Sequence, residues 1–120
     1  MPIQSFKELN VWRKAIELVK AIYQITEKLP ASERFCLMSQ MQRAAISIPS
    51  NIAEGTKRKT RKDYYQFLCI ADGSCSELET QLIIASELYR SIHTENALLL
   101  LQEVQRMLGA LMKAIGHSEP

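Results

Sequence analysis

Apolar residues recur at alternating spacings of three and four positions in four separate segments of the sequence. The third segment shows this pattern most clearly, in a stripe formed by Tyr64, Leu68, Ala71, Cys75, Leu78, Leu82, Ala85 and Tyr89. An average spacing of 3.5 residues keeps one stripe of an α-helix facing a neighbouring helix, as in a left-handed bundle. The stripes of the first, second and fourth segments are Leu9, Trp12, Ile16, Val19 and Tyr23; Met38, Met41, Ala45, Ile48 and Ile52; and Ala97, Leu101, Val104, Leu108, Leu111 and Ile115. The spacing therefore predicts an all-α fold.

The four segments predict a single domain that covers residues 1–120. Their limits place helices at about residues 6–29, 32–54, 60–91 and 95–115. With 120 residues and only four Gly and four Pro, the chain can bury one modest core and favours long, uninterrupted helices. Because the connections between segments are short, we expect an antiparallel up-down four-helix bundle.

Residues that cap helices mark the predicted starts. Ser5 with Glu8, and Thr60 with Asp63, fit the capping box, in which a hydroxyl and a carboxylate satisfy open backbone donors. Thr94 is a candidate cap for the fourth helix.

Glycine and proline positions predict how the helices end and cross. Gly55 and Gly116 suit the left-handed conformation in which helices often end. Pro49 lies inside the second segment, where it removes a backbone donor and is expected to bend or loosen the helix. Gly73 and Ser74 lie beside the stripe of the third segment and predict a close helix crossing.

The chain has more apolar surface than four stripes can bury. Residues 98–101 are four consecutive leucines, which spread around nearly the whole circumference of a helix. Leu18 and Ile25 lie beside the stripe of the first segment. Excess apolar surface on a small bundle favours self-association, so we expect a homo-oligomer.

The lack of a recognisable targeting signal and the cysteine usage both favour a cytoplasmic protein. No apolar run follows a basic N-terminal segment, so no signal peptide is expected, and no stretch is long and apolar enough to span a membrane. Cys36, Cys69 and Cys75 are odd in number and form no Cys-x-x-Cys pair, which favours free thiols in a reducing compartment.

Motifs for catalysis, metals and cofactors are not found in the sequence. Its two histidines, His93 and His117, are isolated, and no Glu-x-x-His pair, Gly-rich phosphate loop or nucleophile elbow occurs. We therefore expect neither enzymatic activity nor a bound cofactor or metal ion.

A basic run connects the second and third segments. It consists of Lys57, Arg58, Lys59, Arg61 and Lys62, which are five of the fifteen basic residues of a chain with net charge +2. The first 71 residues carry an excess of six positive charges, and the remaining 49 carry an excess of four negative charges. Cations packed so densely repel one another unless an anion relieves them, so the run is a candidate site for an RNA or DNA backbone.

A polar line follows the second segment beside its apolar stripe. It contains Arg43, Ser47, Asn51 and Glu54, which fall on one helix face. One interpretation is an interhelical polar network, with Arg43 paired to an acidic residue of the third helix such as Glu77 or Glu79. The other is a binding surface for RNA or a partner protein that continues the basic run and includes Arg43.

Three stretches of the sequence resemble a known family. Residues 40–55, QMQRAAISIPSNIAEG, are similar to the signature of bacterial four-helix-bundle proteins encoded in intervening sequences of 23S ribosomal RNA. Residues 6–15, FKELNVWRKA, resemble the start of that family, and residues 73–82, GSCSELETQL, resemble a later part of it. The resemblance covers about residues 6–90.

The resemblance implies a four-helix subunit that assembles into a homopentameric ring. A related group, the accessory variability determinants of diversity-generating retroelements, forms basic pentameric barrels that bind a reverse transcriptase and nucleic acid. For the ribosomal RNA members the resemblance implies a role in RNA handling.

Three functional hypotheses follow from these observations. The first is a non-catalytic oligomer that binds RNA through the basic run, with Arg43 as an additional contact. The second is a protein–protein adaptor that docks a nucleic-acid enzyme such as a reverse transcriptase. The third is a passenger protein of a ribosomal RNA intervening sequence, selected only for stable folding.

Overall fold

Four α-helices make up most of residues 5–116, the part of the chain that the computed structural model describes. This part contains no β-strand, and the all-α prediction is confirmed. The helices are α1 (Asn10–Thr26), α2 (Leu37–Thr56), α3 (Arg61–Leu88) and α4 (Glu95–Ile115), with short 3-10 turns at Phe6–Glu8 and Ala31–Glu33. None of the described helices is both long and apolar enough to cross a membrane.

Successive helices run antiparallel, as predicted. Gly55, near the end of α2, lies against Tyr64, near the start of α3. Ser47, earlier on α2, hydrogen-bonds Ser74, later on α3, so the two helices run in opposite directions. In addition, α1 packs against α4, which closes the four helices into one bundle. The bundle is elongated, with principal extents of 46 × 27 × 21 Å.

The first two helices start later than the sequence predicts. Leu9 is extended (φ −75°, ψ 126°) and separates the Phe6–Glu8 turn from α1. The Ser5 hydroxyl accepts from the backbone N–H of Lys7, and the Ser5 carbonyl accepts from the backbone N–H of Glu8, so the predicted capping box does not form. The sequence predicts the second helix from residue 32, but the Ala31–Glu33 turn and the non-helical Cys36 delay it to Leu37. A carboxylate oxygen of Glu33 accepts from the Leu37 backbone N–H at 3.3 Å and supplies the cap that the Cys36 side chain does not provide.

The last two helices match their predicted limits closely. The Thr60 hydroxyl accepts from the backbone N–H of Asp63 at 3.1 Å, which is one half of the predicted capping box. Thr94 precedes α4 but makes no capping hydrogen bond through its side chain, so its predicted role is wrong. Gly116 ends α4 with a φ of 73°, a backbone angle that favours glycine.

The predicted apolar stripes of α2, α3 and α4 form the core. The stripe predicted for α1 is wrong, because Trp12, Ile16 and Val19 are only partly buried, and Leu18 is among the core residues of this helix. The buried residues of α1 are Val11, Ala15, Leu18, Ala21, Ile22, Ile25 and Thr26. Two overlapping stripes of α1 have helical spacing, and the spacing alone does not decide which one faces α2 and α4 together.

Pro49 lies inside a continuous helix, and Gly73 differs from its expected role. Helix α2 continues from Leu37 to Thr56 through Pro49, and the proline ring is buried on the side of α1. Gly73 is exposed, and a Cβ atom there would meet nothing within 4 Å, so it does not permit a close crossing within the subunit. Ser74 is buried and takes part in the contact between α2 and α3.

The cysteines are free thiols with different environments. Cys36 and Cys69 are exposed and Cys75 is buried in the core. Burial, reinforced by the nearby carboxylates of Asp72 and Glu79, raises the pKa of Cys75 to about 12. Cys75 therefore stays protonated at neutral pH and serves as an apolar core residue.

We expect Leu78→Ala and Leu108→Ala each to lower the free energy of unfolding by about 2–5 kcal/mol, because both side chains are fully buried. Leu99→Ala is the matched control, since Leu99 is 64% exposed, and its effect should stay within about 0.5 kcal/mol. Urea titration followed by circular dichroism measures all three. Equal losses of unfolding free energy in the three variants would show that Leu78 and Leu108 are not core residues.

Candidate nucleic-acid interface

The basic run lies at one end of the bundle, where α2 ends and α3 begins. Lys57 caps the C-terminus of α2, Arg58 and Lys59 lie in the connection, and Arg61 and Lys62 are the first two residues of α3. All five side chains are exposed. A connection of four residues and the first turn of α3 therefore hold the run.

Arg58 differs from the other cations because it already has partners within the chain. Its guanidinium donates to a carboxylate oxygen of Glu54 at 3.1 Å and lies 5.2 Å from the centre of the Phe67 ring. Within residues 5–116, the other four side chains of the run make no ion pair. An anionic ligand would thus meet Lys57, Lys59, Arg61 and Lys62 before it displaced Arg58.

The helix dipoles act differently on the two halves of the run. Lys57, Arg58 and Lys59 follow the C-terminus of α2, where the dipole stabilises cations. Arg61 and Lys62 lie in the first turn of α3, where it destabilises them, and Asp63 is the acidic residue of that turn. The helix dipoles therefore explain why cations are favourable at the first three positions of the run. They do not explain why cations occur at Arg61 and Lys62.

The two ends of the bundle differ in charge. We define the basic end as residues 5–9, 54–63 and 110–116, which carry seven Lys or Arg against three Asp or Glu, a net charge of +4. The opposite end, residues 26–36 and 87–96, carries three Lys or Arg against four Asp or Glu, a net charge of −1. This contrast would steer a polyanion to the basic end.

Gly55 sets the distance between α2 and α3 next to the run. A Cβ atom at this position would lie 2.8 Å from Cδ1 of Tyr64 and 3.1 Å from Cβ of Phe67. Gly55 belongs to the last turn of α2 and has no positive φ, so its predicted role as a left-handed helix stop is wrong. Its function is steric, because only a residue without a side chain lets Tyr64 pack this closely.

A cavity of about 350 Å³ opens beside the run, and no motif of the sequence predicts it. We call it the end cavity, and its lining residues are Ser5, Phe6, Leu9, Thr56, Lys57, Tyr64 and Leu111. Burial raises the pKa of Tyr64, so its phenol remains protonated at neutral pH. These residues come from four separate stretches of the chain, which is why no local motif indicates the cavity.

Arg43 is not part of the basic end. It lies fourteen residues before Lys57 on α2, a separation of about 21 Å along a helix. Arg43 lines a separate cavity of about 220 Å³ with Glu77, yet it forms no ion pair with Glu77 or Glu79. The predicted pairing of Arg43 is therefore wrong.

Ser47 and Asn51 of the polar line on α2 do form an interhelical network, whereas Glu54 pairs with Arg58. The hydroxyls of Ser47 and Ser74 lie 2.8 Å apart, and the Asn51 side-chain amide donates to the Ser47 hydroxyl at 2.9 Å. Gln81, farther along α3, is buried, and its side-chain oxygen has no hydrogen-bond partner within the described residues.

Comparison with known proteins agrees with this architecture. The family model for 23S rRNA-intervening sequence proteins matches residues 7–110. The chain belongs to this family. No curated protein sequence matches it significantly.

A solved structure shares the fold of this family member. It is the 1.70 Å crystal structure of a protein of unknown function from the S23 ribosomal protein family of Bacteroides thetaiotaomicron VPI-5482. The two chains are 24% identical and superpose with a TM-score of 0.73, over 86% of this chain and 98% of the other. At this level of identity the likeness shows the fold alone.

Two apolar surfaces of this family member lie along the sides of the bundle. The first, the side groove, is a cavity of about 320 Å³ between α1 and α2, lined by Phe6, Trp12, Ile16, Val19, Ile46, Pro49, Ser50 and Ala53. The second, the outer face of α3, carries the exposed side chains of Ile70, Ile84 and Leu88. Spacings of fourteen and four residues place these three on one helix face.

We expect Gly55→Ala to destabilise the protein and Gly109→Ala to stabilise it. Alanine at position 55 would collide with the Tyr64 ring, and overpacking of this kind costs about 1–3 kcal/mol. Gly109 is exposed inside α4, and a Cβ atom there would meet nothing within 4 Å, so alanine gains up to about 1 kcal/mol of helix propensity. Thermal unfolding of both variants measures the difference, and a stabilising Gly55→Ala would show that the contact with Tyr64 is loose.

Proposed function

We propose that this protein is a non-catalytic, cytoplasmic homo-oligomer that binds RNA through its basic end. The observation that carries the proposal is the placement of Arg61 and Lys62. Both are exposed, neither has an ion pair within the described residues, and both lie where the α3 dipole disfavours cations. A phosphate backbone would relieve this local cost.

The chemistry of the run favours recognition of the RNA backbone. Its residues are Lys and Arg, which bind phosphate, and no aromatic residue interrupts it. Contacts of this kind position a nucleic acid without reading its sequence. The family description refers to intervening sequences of 23S rRNA, which makes structured RNA the first ligand to test.

Self-association supports the same function. The side groove and the outer face of α3 are different surfaces, so a contact between them would be heterologous. Such contacts form a ring when the rotation from one subunit to the next closes, and an open filament when it does not. The resemblance of the sequence implies a ring of five subunits. A ring would repeat the basic end once per subunit, and simultaneous binding would then strengthen contacts that are individually weak.

The variant Lys57→Gln/Lys59→Gln/Lys62→Gln should bind structured RNA more weakly and with less dependence on salt. Each lost phosphate contact reduces the slope of log K against log salt by about 0.9, so three lost contacts reduce it by about 2.7 per engaged subunit. Fluorescence anisotropy across about 50–300 mM salt measures both quantities. The charge-matched control is Lys28→Gln/Arg34→Gln/Arg90→Gln, which removes three exposed cations from the opposite end.

Equal effects of the two triple variants would show that RNA responds only to net charge, and the basic end would lose its assigned role. If the wild-type protein binds no RNA at low salt while its assembly is intact, the proposal fails. An adaptor for a nucleic-acid enzyme such as a reverse transcriptase, or a passenger protein, would then be the remaining hypothesis.

Ile46→Glu and Ile84→Glu should each convert the oligomer to folded monomers. Ile46 lines the side groove and is 42% exposed, and Ile84 belongs to the outer face of α3. In a heterologous ring, a mixture of the two variants retains one intact pair of surfaces and should form one-to-one heterodimers and no ring. Analytical ultracentrifugation distinguishes these states, and an oligomer that survives both substitutions would refute this interface.

A further inference from the structure

We infer that the end cavity binds one unpaired nucleobase of an RNA whose phosphates lie on the basic run. This inference rests on the proposed RNA-binding function and adds a site for single-stranded RNA to it. The observations that carry it are the composition of the cavity, its hydrogen-bonding groups and its connection to the run through Lys57.

The walls of the end cavity suit a flat aromatic ligand. Phe6, Leu9 and Leu111 supply apolar surface, and Tyr64 supplies a second aromatic ring. The Phe6 ring is held edge-on to Trp12 with centroids 5.2 Å apart, and the Tyr64 ring is held against Gly55. Aromatic side chains of this kind stack with nucleobases in proteins that bind single strands. A volume of about 350 Å³ lies near the lower limit for small-ligand sites, so it fits one base and no longer segment.

The polar groups of the cavity suit the edge of a base. The Ser5 hydroxyl accepts from the backbone N–H of Lys7, which leaves its own proton free to donate. The Thr56 hydroxyl donates to the carbonyl of Ala53, which leaves its oxygen free to accept. The cavity therefore offers both donors and acceptors, as the edges of nucleobases require.

Lys57 connects the cavity to the charge of the basic end. It lines the cavity and is also the first cation of the run, so a phosphate bound by Lys57 lies next to the cavity opening. A nucleotide has this arrangement of an aromatic base beside an anion. A neutral apolar ligand would provide no anion for Lys57 and the neighbouring Lys59 to bind. This complementarity favours RNA over an apolar peptide side chain as the occupant.

The test compares unpaired and paired RNA. A short oligoadenylate offers bases to the cavity, and a blunt RNA duplex of similar length offers only phosphates. Tyr64→Leu should weaken oligoadenylate binding by about tenfold, the scale of one lost stacking contact, and leave duplex binding within about twofold. Phe35→Leu is the matched control, because this ring is 86% exposed at the opposite end and should affect neither ligand.

A direct probe covers the case in which Tyr64→Leu does not fold. Adenosine monophosphate added to the wild-type protein should shift the methyl NMR signals of Leu9 and Leu111 through the ring current of the base. The exposed Leu99, on another part of α4, should not shift. Ribose 5-phosphate, which lacks a base, should not reproduce the shifts at Leu9 and Leu111.

The outcomes separate this inference from the proposed function. If Tyr64→Leu binds oligoadenylate as tightly as the wild type, or if adenosine monophosphate shifts neither leucine, the inference is overturned. The lysine variants of the run still test RNA binding independently in that case. If the wild-type protein binds neither RNA, the proposed function fails, and the inference that depends on it fails with it.

Discussion

The basic end of this protein depends on how closely α2 packs against α3 at Gly55. Because Gly55 has no side chain, the last turn of α2 packs directly against the first turns of α3, where Tyr64 and Phe67 lie. The connection spans only residues 57–60, and the five cations of the run are held at two helix ends instead of in a long loop. The same contact places Tyr64 in the wall of the end cavity. One steric constraint thus determines the position of both the charges and the cavity.

Much of the fold could be predicted from the sequence because most of its helices have one dominant apolar stripe. Helix α3 is the clearest case, since Leu68, Leu78 and Leu82 are fully buried as their spacing indicates. Helix α1 could not be assigned in this way. Its two overlapping stripes have the same spacing, and burial of Leu18 in place of Trp12 depends on how α2 and α4 are arranged around it. That arrangement is a property of the assembled bundle and leaves no local signal.

The candidate site likewise has one part that the sequence predicts and another that it does not. The basic run could be predicted because its members are neighbours in the sequence, whereas the end cavity joins residues as distant as Phe6, Lys57 and Leu111. The position of Arg43 shows the limit of helical periodicity. Arg43 lies on the polar face of α2 as expected, but periodicity gives the face of a residue and not whether it pairs with Glu77 or Glu79. Gly55 shows a related limit. A glycine at a helix end typically adopts a left-handed conformation that ends the helix, whereas Gly55 allows α2 to pack closely against α3.

The locations of the surfaces determine whether assembly and RNA binding are compatible. The side groove and the outer face of α3 lie along the length of the bundle, while the run that would bind RNA lies at its end. An oligomer formed through the sides would leave Lys59, Arg61 and Lys62 uncovered in every subunit. In a closed ring all subunits are related by rotation, so each basic end would meet the ligand in an equivalent orientation. The geometry of one subunit therefore favours a multivalent surface for a single polyanion, in which modest contacts at each end combine into tight binding.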